Sequence, residues 1–184
     1  MKVLGIDFSL NGTGLAMYNG KDIILQIMFT ITQKHEKDDP EHFIYIPKME
    51  NTMEKIDIVA DKIIKYAKKA DFVLMEDHIG RYYNWMDGYG VIKYLLRQNK
   101  IKYIMASPTM IKKYAGNGKA DKNMMSYYLK RDYNFDFDHY GKMANNLVDA
   151  SWMAILGYQY LQYLDGGYDT PNRTKILKTL KEKN

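Results

Sequence analysis

The chain contains no cysteine. That excludes disulfide bonds, thiolate zinc sites and a cysteine nucleophile, and it fits a reducing compartment. No apolar run approaches the roughly 18 residues that a membrane-spanning helix needs, so no membrane partner is expected. Residues 1–9 lack the layout of a secretory leader. No internal repeat is present. What the chain does contain is enough apolar material to fold unaided. It has 184 residues, 46% of them hydrophobic, which predicts one domain whose core needs neither metal nor disulfide to hold it. The net charge is +5 and the pI about 9.0, a balance that suits an anionic partner. Many of the seventeen tyrosines lie near lysine or arginine, a mixture that can bind nucleic acid by stacking plus phosphate contact. An A+T-rich genome enriches Lys, Asn, Ile and Tyr as well, and is the larger cause of the bias.

The chain is organised around residues 1–20. Lys2 to Phe8 is a short apolar run with one carboxylate, Asp7. Gly12 and Gly14 break it, Leu15 to Tyr18 resumes it, and Asn19-Gly20 is a strong hairpin signal before Ile23 to Phe29. Three consecutive antiparallel strands are therefore predicted. Thr32 to Pro47 reads as a long polar loop or insertion. Met49 to Lys69 is a helix, with Met53, Ile56, Val59, Ile63 and Ala67 at helical spacing. Phe72 to Met75 is a buried strand ending in Glu76-Asp77-His78. Ile79 to Gly90 reads as a loop rich in aromatic and small residues, and Val91 to Gln98 as a helix that could begin at Trp85. Ile101 to Ala106 is another strand. Ser107 caps a helix with Pro108 at its first position, ending before Gly116-Asn117-Gly118. A helix from Asp121 or Lys122 to about Arg131, a loop over Asp132 to Lys142 and a long helix from Met143 to Leu164 follow. Gly166-Gly167 ends that helix, and Tyr168 to Asn184 is a basic tail with a helix from about Arg173.

This order predicts an α/β fold: a mixed five-stranded sheet, three strands antiparallel and then parallel ones, with helices on both faces. Residues 1–164 form the domain and 165–184 the tail. A carboxylate buried in a central strand costs several kcal/mol unless it is paired or holds a metal, so Asp7 needs a partner. Two kinds of site use such a first strand and Gly-rich turn: a carboxylate metal cluster that cuts nucleic acid, and an actin-like ATPase hairpin. The ATPase needs a second similar domain, for which 184 residues leave no room. For the cluster, Glu76 ends a strand that can lie parallel to the first, and Asp149 lies early in the last long helix, with Asn145 and Asn146 on its face. Clustered carboxylates without cysteine imply Mg²⁺ or Mn²⁺, and two ions about 4 Å apart could drive phosphodiester hydrolysis. The strand-end Asp77 and His78 read more simply as surface or supporting groups.

Four segments resemble the RuvC-type Holliday junction resolvases of the ribonuclease H-like superfamily. Gly5-Ile6-Asp7-Phe8-Ser9-Leu10-Asn11-Gly12-Thr13-Gly14 is similar to the family's opening strand and turn. Val73-Leu74-Met75-Glu76 is similar to the strand bearing its second acid. Gly116-Asn117-Gly118-Lys119-Ala120-Asp121-Lys122, the most specific match, resembles its loop leading into a helix. Asn146-Leu147-Val148-Asp149-Ala150 resembles its C-terminal acidic motif. The resemblance implies Asp7, Glu76 and Asp149 as metal ligands, with two Mg²⁺ ions per site. Lys122 would be a basic residue near the scissile phosphate, and Lys112 or Lys113 a second. Asn146 stands where the family usually has a further acid, so it would offer an uncharged oxygen. Lys119 would contact phosphate, and the loop with Arg81, Tyr82 and Tyr83 would meet the junction centre. The implied activity is a structure-selective endonuclease that cuts four-way DNA junctions as a homodimer. The helix around Val91 to Leu96 is its expected interface, and the cytoplasm of a bacterial cell or phage-infected host its setting. A ribonuclease H-like nuclease for flaps, other branched DNA or RNA is the alternative.

Overall fold

A computed structural model describes residues 1–77, 83–167 and 171–183. Its centre is a mixed sheet of β1 (Val3–Asp7), β2 (Gly14–Tyr18), β3 (Ile23–Thr30), β4 (Phe43–Tyr45), β5 (Phe72–Glu76) and β6 (Tyr103–Ala106). The spatial order is β4-β3-β2-β1-β5-β6. The first three strands form the expected antiparallel meander, and β1–β5, β5–β6 and β3–β4 are parallel. At the β2–β3 hairpin, the Asn19 Oδ1 accepts from the amides of Lys21 (2.9 Å) and Asp22 (2.8 Å). Gly20 there adopts φ 101°, a conformation that favours glycine.

The sixth strand corrects the expected five. The segment read as a loop holds a short helix, α1 (Gln33–Asp38), and β4. Three residues are too few to show a strand period, and the surrounding charges mask them. β4 forms because it has a ladder to join and an aromatic pocket to enter. The Met28 amide donates to His42 O and the Ile46 amide to Thr30 O, both at 2.7 Å. Phe43 is buried between His35, stacked at 5.2 Å, and Tyr140 at 6.0 Å.

Helices cover both faces, as the patterning predicts. On one face lie α2 (Thr52–Ala67) and α3 (Tyr83–Gln98), packed on Leu4, Ile6, Leu15, Val73 and Met75. Asn51 caps α2 by accepting from the Met53 amide at 2.9 Å, which starts the helix three residues later than its periodicity implied. Met53, expected in the apolar stripe, is instead 47% exposed. On the other face lie α4 (Pro108–Ala115), α5 (Lys122–Tyr133), α6 (Ala144–Leu164) and α7 (Pro171–Lys183). They pack on Val3, Tyr18, Phe72 and Leu74. A 3₁₀ segment at Asp138–Met143 leads into α6. The segment expected as a basic tail is thus largely helical, and its Leu177 and Leu180 are fully buried in the core.

The helix α6 is buried nearly all round, from Leu147 to Gly157 and again at Tyr160. It reaches this depth because glycines clear its path. A Cβ on Gly5 would overlap the Ala150 carbonyl oxygen and lie 2.6 Å from the Ala154 nitrogen, and one on Gly14 would overlap the Asn146 carbonyl. The helix contributes Gly157 in return, where a Cβ would sit 2.8 Å from Val3 Cγ1. Backbone therefore lies against backbone, closer than any side chain allows.

The glycines predict opposite outcomes at two positions. Gly5→Ala should lower stability by about 3 kcal/mol or more by overpacking. Gly90→Ala, in α3 with nothing within 4 Å of the added carbon, should raise it by about 0.5–1 kcal/mol through helix propensity. Denaturant melts of both variants check the pair, and a neutral Gly5→Ala would mean that α6 sits elsewhere.

Candidate active site

Strand alternation aims two acids at α6. In β1, Leu4 and Ile6 face α2 and α3 while Val3 faces α6; in β5, Val73 and Met75 face the former and Phe72 and Leu74 the latter. By the same period of two, Asp7 and Glu76 point to the α6 side. The parallel register runs Val3↔Phe72 to Ile6↔Met75, so the two acids come next, side by side at the C-terminal strand ends. Asp7 also pairs with Gly14 across β1–β2, the glycine under Asn146. One turn later α6 lies on Gly5 through Ala150, which sets Asp149 over the end of β1.

Asp7, Glu76, Asp149, Asn146 and Lys122 consequently line one cavity of about 390 Å³, with Phe8, Ser9 and Tyr89 completing its wall. Behind it, a smaller pocket of about 50 Å³ is bounded by Glu76, Asp149 and Lys112. The expected acids thus meet. Of the two lysines left open, Lys112 is the one beside them, and Lys113 lies on the far side of α4, its Cγ 2.8 Å from where a Gly118 side chain would begin. Lys122 is the first residue of α5, held there by Asp121, whose Oδ1 accepts from the Met124 amide at 2.8 Å. Lys119 is exposed, before that cap. His78, Arg81 and Tyr82 lie outside the described residues, as does the side chain of Tyr83.

The electrostatics show the tension in this cavity. Burial, then Asp149, then Glu76 push the Asp7 carboxyl well above the usual carboxylate range, against Lys122. Burial likewise raises Asp149, with Lys122 and Lys112 opposing. The Tyr89 phenol is driven far upward by burial and by the charges of Glu76, Asp7 and Asp77, so it stays protonated. Among the described residues, no three acids or histidines are already drawn into a closed cage; the carboxylates share a wall of the cavity instead.

Asn146 has a structural task. Its Nδ2 donates to the Gly12 carbonyl at 2.6 Å, tying α6 to the β1–β2 loop, and leaves Oδ1 as the acceptor end of the amide. Aspartate could not make that bond, since two acceptors would face each other. The loop is closed further by Thr13, fully buried, whose hydroxyl donates to Ser9 O at 2.6 Å. From α2, Lys55 is buried to 7% exposure and donates to Asn11 Oδ1 at 2.6 Å; burial lowers its pKa.

Tyr89, Phe8 and Lys55 were not singled out by the sequence. Tyr89 was legible in principle: with Ile92 and Leu96 it occupies one apolar face, all three buried. The glycines at 88 and 90 made the segment read as a loop, whereas α3 begins at Tyr83. Gly88 is small because the Phe8 ring occupies the space a side chain would need, and Phe8 meets Tyr89 edge-on at 5.2 Å. Ile92 and Leu96 face the protein's own core, so the helix expected to form the interface presents Tyr94 and Met86, each 54% exposed, on its outer side.

This mixed sheet, with acids at the ends of β1 and β5 and on α6, is a fold that the chain shares with solved structures of Holliday junction resolvases. Solved structures give the likeness its particulars. Thermus thermophilus RuvC, determined in complex with a Holliday junction substrate, aligns at TM-score 0.64 and 13% identity over 91% of this chain and 97% of that one. The yeast mitochondrial Holliday junction resolvase Ydc2 aligns at 0.55 and 13%, over 98% of this chain and 80% of its own. Fowlpox virus resolvase, determined with substrate Holliday junction DNA, aligns at 0.52 and 17%, over 89% and 99%. No family model matches the sequence, and no curated protein sequence matches it.

The raised carboxyls predict a pH dependence. Asp7 binds its proton more tightly folded than unfolded, so its contribution to stability is fully present below about pH 4 and is lost as pH rises through its raised folded value. Asp7→Asn should therefore match the parent near pH 4 and melt several degrees higher at neutral pH without divalent ions, about 2–4 °C per kcal/mol at this length. Melting curves across pH check it; a variant that loses stability as pH rises relative to the parent contradicts the assignment.

Proposed function

We propose that the protein is a divalent-metal-dependent endonuclease that resolves four-way DNA junctions. The observation that carries this reading is the convergence of Asp7, Glu76 and Asp149, from three separate elements, on one cavity with Lys122 at its edge. The fold shared with RuvC and fowlpox resolvase, both solved with Holliday junctions, supports the substrate.

The donor set fits a hard divalent cation. Buried carboxylates repel one another here, with lysine as the opposing charge, and the remaining donors, Asn146 and Ser9, offer oxygen. Asp7, Glu76 and Asp149 would hold Mg²⁺, with Mn²⁺ able to replace it and two ions per site, and Asn146 Oδ1 would add a neutral donor. When bound, such ions supply Lewis acidity at the phosphate and at the attacking water. The chain's own groups do the rest. Lys122, at the positive end of α5, offers its ammonium to a non-bridging phosphate oxygen, and Lys112 balances charge behind Glu76 and Asp149. Phe8 and the neutral Tyr89 exclude water from one wall, which strengthens every charge interaction inside. Lys113 and Lys119 contact phosphates further out, and Arg81, Tyr82 and Tyr83 meet the bases at the junction centre.

Symmetric cutting of a four-way junction needs two sites related by a two-fold axis, so the working form is a homodimer. Residues 1–164 carry the nuclease site, and α7 adds a basic edge to the same domain through the core contacts of Leu177 and Leu180. Its setting is the cytoplasm of a bacterial cell or a phage-infected host.

A panel of labelled four-way, three-way, flap and duplex DNAs, with and without Mg²⁺, tests the proposal. Paired cuts in the four-way junction are expected, abolished by chelation and reduced to background in Asp7→Asn, Glu76→Gln and Asp149→Asn, while junction binding persists. Preferential cutting of flaps, by a species that light scattering shows to be monomeric on DNA, would replace the junction reading with the flap-nuclease alternative.

A further inference from the structure

A second groove, of about 420 Å³, runs between α4 and α7. Its polar lining consists of Lys113, Lys175 and Lys183 with the hydroxyls of Ser107, Thr109 and Thr179, and it contains no carboxylate. On α7 the spacing is regular. Lys175, Thr179 and Lys183 recur every fourth residue, which places them on one edge of the helix, an edge of about 12 Å.

That edge is held in place. Leu177 and Leu180 bury the opposite side of α7 in the core. The Arg173 guanidinium lies 4.8 Å from the Tyr114 ring centre on α4 and bonds Asp132 Oδ2 at 3.1 Å. Other basic side chains nearby are neutralised locally: Lys130 pairs with Asp136, Arg131 with Asp132 and Arg173 with Asp132. Among the described residues, the three groove lysines have no such ion pair. Three lysines from two helices line one groove whose other polar groups are hydroxyls, an arrangement that an anion relieves.

Continuity identifies the anion. The helix α4 is the partition between the groove and the acid cavity: Lys112 borders the pocket of Glu76 and Asp149, and Lys113, the next residue, lines the groove. A polyanion seated at the acids has a basic path across α4. An edge of about 12 Å spans roughly three to four phosphates at about 3.4 Å of duplex axis each. We infer that this groove clamps the phosphate backbone of a duplex arm of the branched DNA bound at the acid cavity, without reading its sequence. The inference rests on the nuclease reading above.

The test measures parent and Lys175→Glu/Lys183→Glu protein binding to four-way junctions, across a salt series in metal-free buffer. Junctions with long arms and with arms truncated near the crossover are compared. The parent should prefer long arms. The double variant should lose that preference, bind the long-armed junction at least tenfold more weakly, and show a salt slope shallower by about two units. Lys175→Gln/Lys183→Gln, with a slope shallower by the same amount, serves should charge reversal unfold α7. Unchanged slope and intact arm preference in a folded variant overturn the groove's role. Failure of the parent to cut any junction in Mg²⁺ overturns the nuclease reading instead, so the two failures are distinguishable.

Discussion

The structure depends on how closely α6 can lie on β1 and β2. A helix normally stands off a sheet by the thickness of two layers of side chains, and at that distance a carboxylate on the helix could not share a cavity with one at a strand end. Gly5 and Gly14 remove the sheet's layer, and Gly157 removes part of the helix's own. The contact is fixed at its leading end by Asn146, whose amide grips the Gly12 carbonyl. Position 146 therefore serves the approach itself. This gives a physical reason for an amide where the resemblance calls for an acid: a carboxylate there would add charge to the cavity and lose the bond that positions the helix carrying Asp149.

The same approach creates the site's instability. Burial raises the pKa values of Asp7 and Asp149, the neighbouring acids Asp149 and Glu76 raise Asp7 further, and lysines oppose both shifts. The rest of the protein offsets that cost through an uninterrupted core on both faces of the sheet. Strain of this kind at a cavity, surrounded by elements whose local sequence agrees with their structure, is the pattern expected where a site rather than stability has shaped the residues.

Much of this was legible. Asp7, Glu76 and Asp149 stood out because acids interrupt apolar segments whose periodicity shows them to be buried, and Ser107-Pro108 and Asp121 mark helix starts in any context. Other features were hidden for identifiable reasons. The strand β4 is three residues long in a charged segment. Tyr89 sits between two glycines whose smallness answers to Phe8, a contact distant in sequence. Lys112 and Lys113 are adjacent, and only the rotation of α4 shows which one meets the acids. The role of Gly5 and Gly14 as clearance for a helix is likewise tertiary; from sequence Gly5 reads as part of the first strand and Gly14 as a break after it. The burial of Leu177 and Leu180 beneath lysines was masked by the charge around them.

The central claim is that Asp7, Glu76 and Asp149 form one cation site because α6 rests on Gly5 and Gly14. Its most direct measurement is anomalous diffraction from crystals of the intact protein soaked in Mn²⁺, with the Asp7→Asn variant soaked in parallel. The account predicts anomalous density among the three carboxylates in the parent and its loss or marked weakening in the variant. Density only at other surface acids, or undiminished density among these residues in Asp7→Asn, would contradict it.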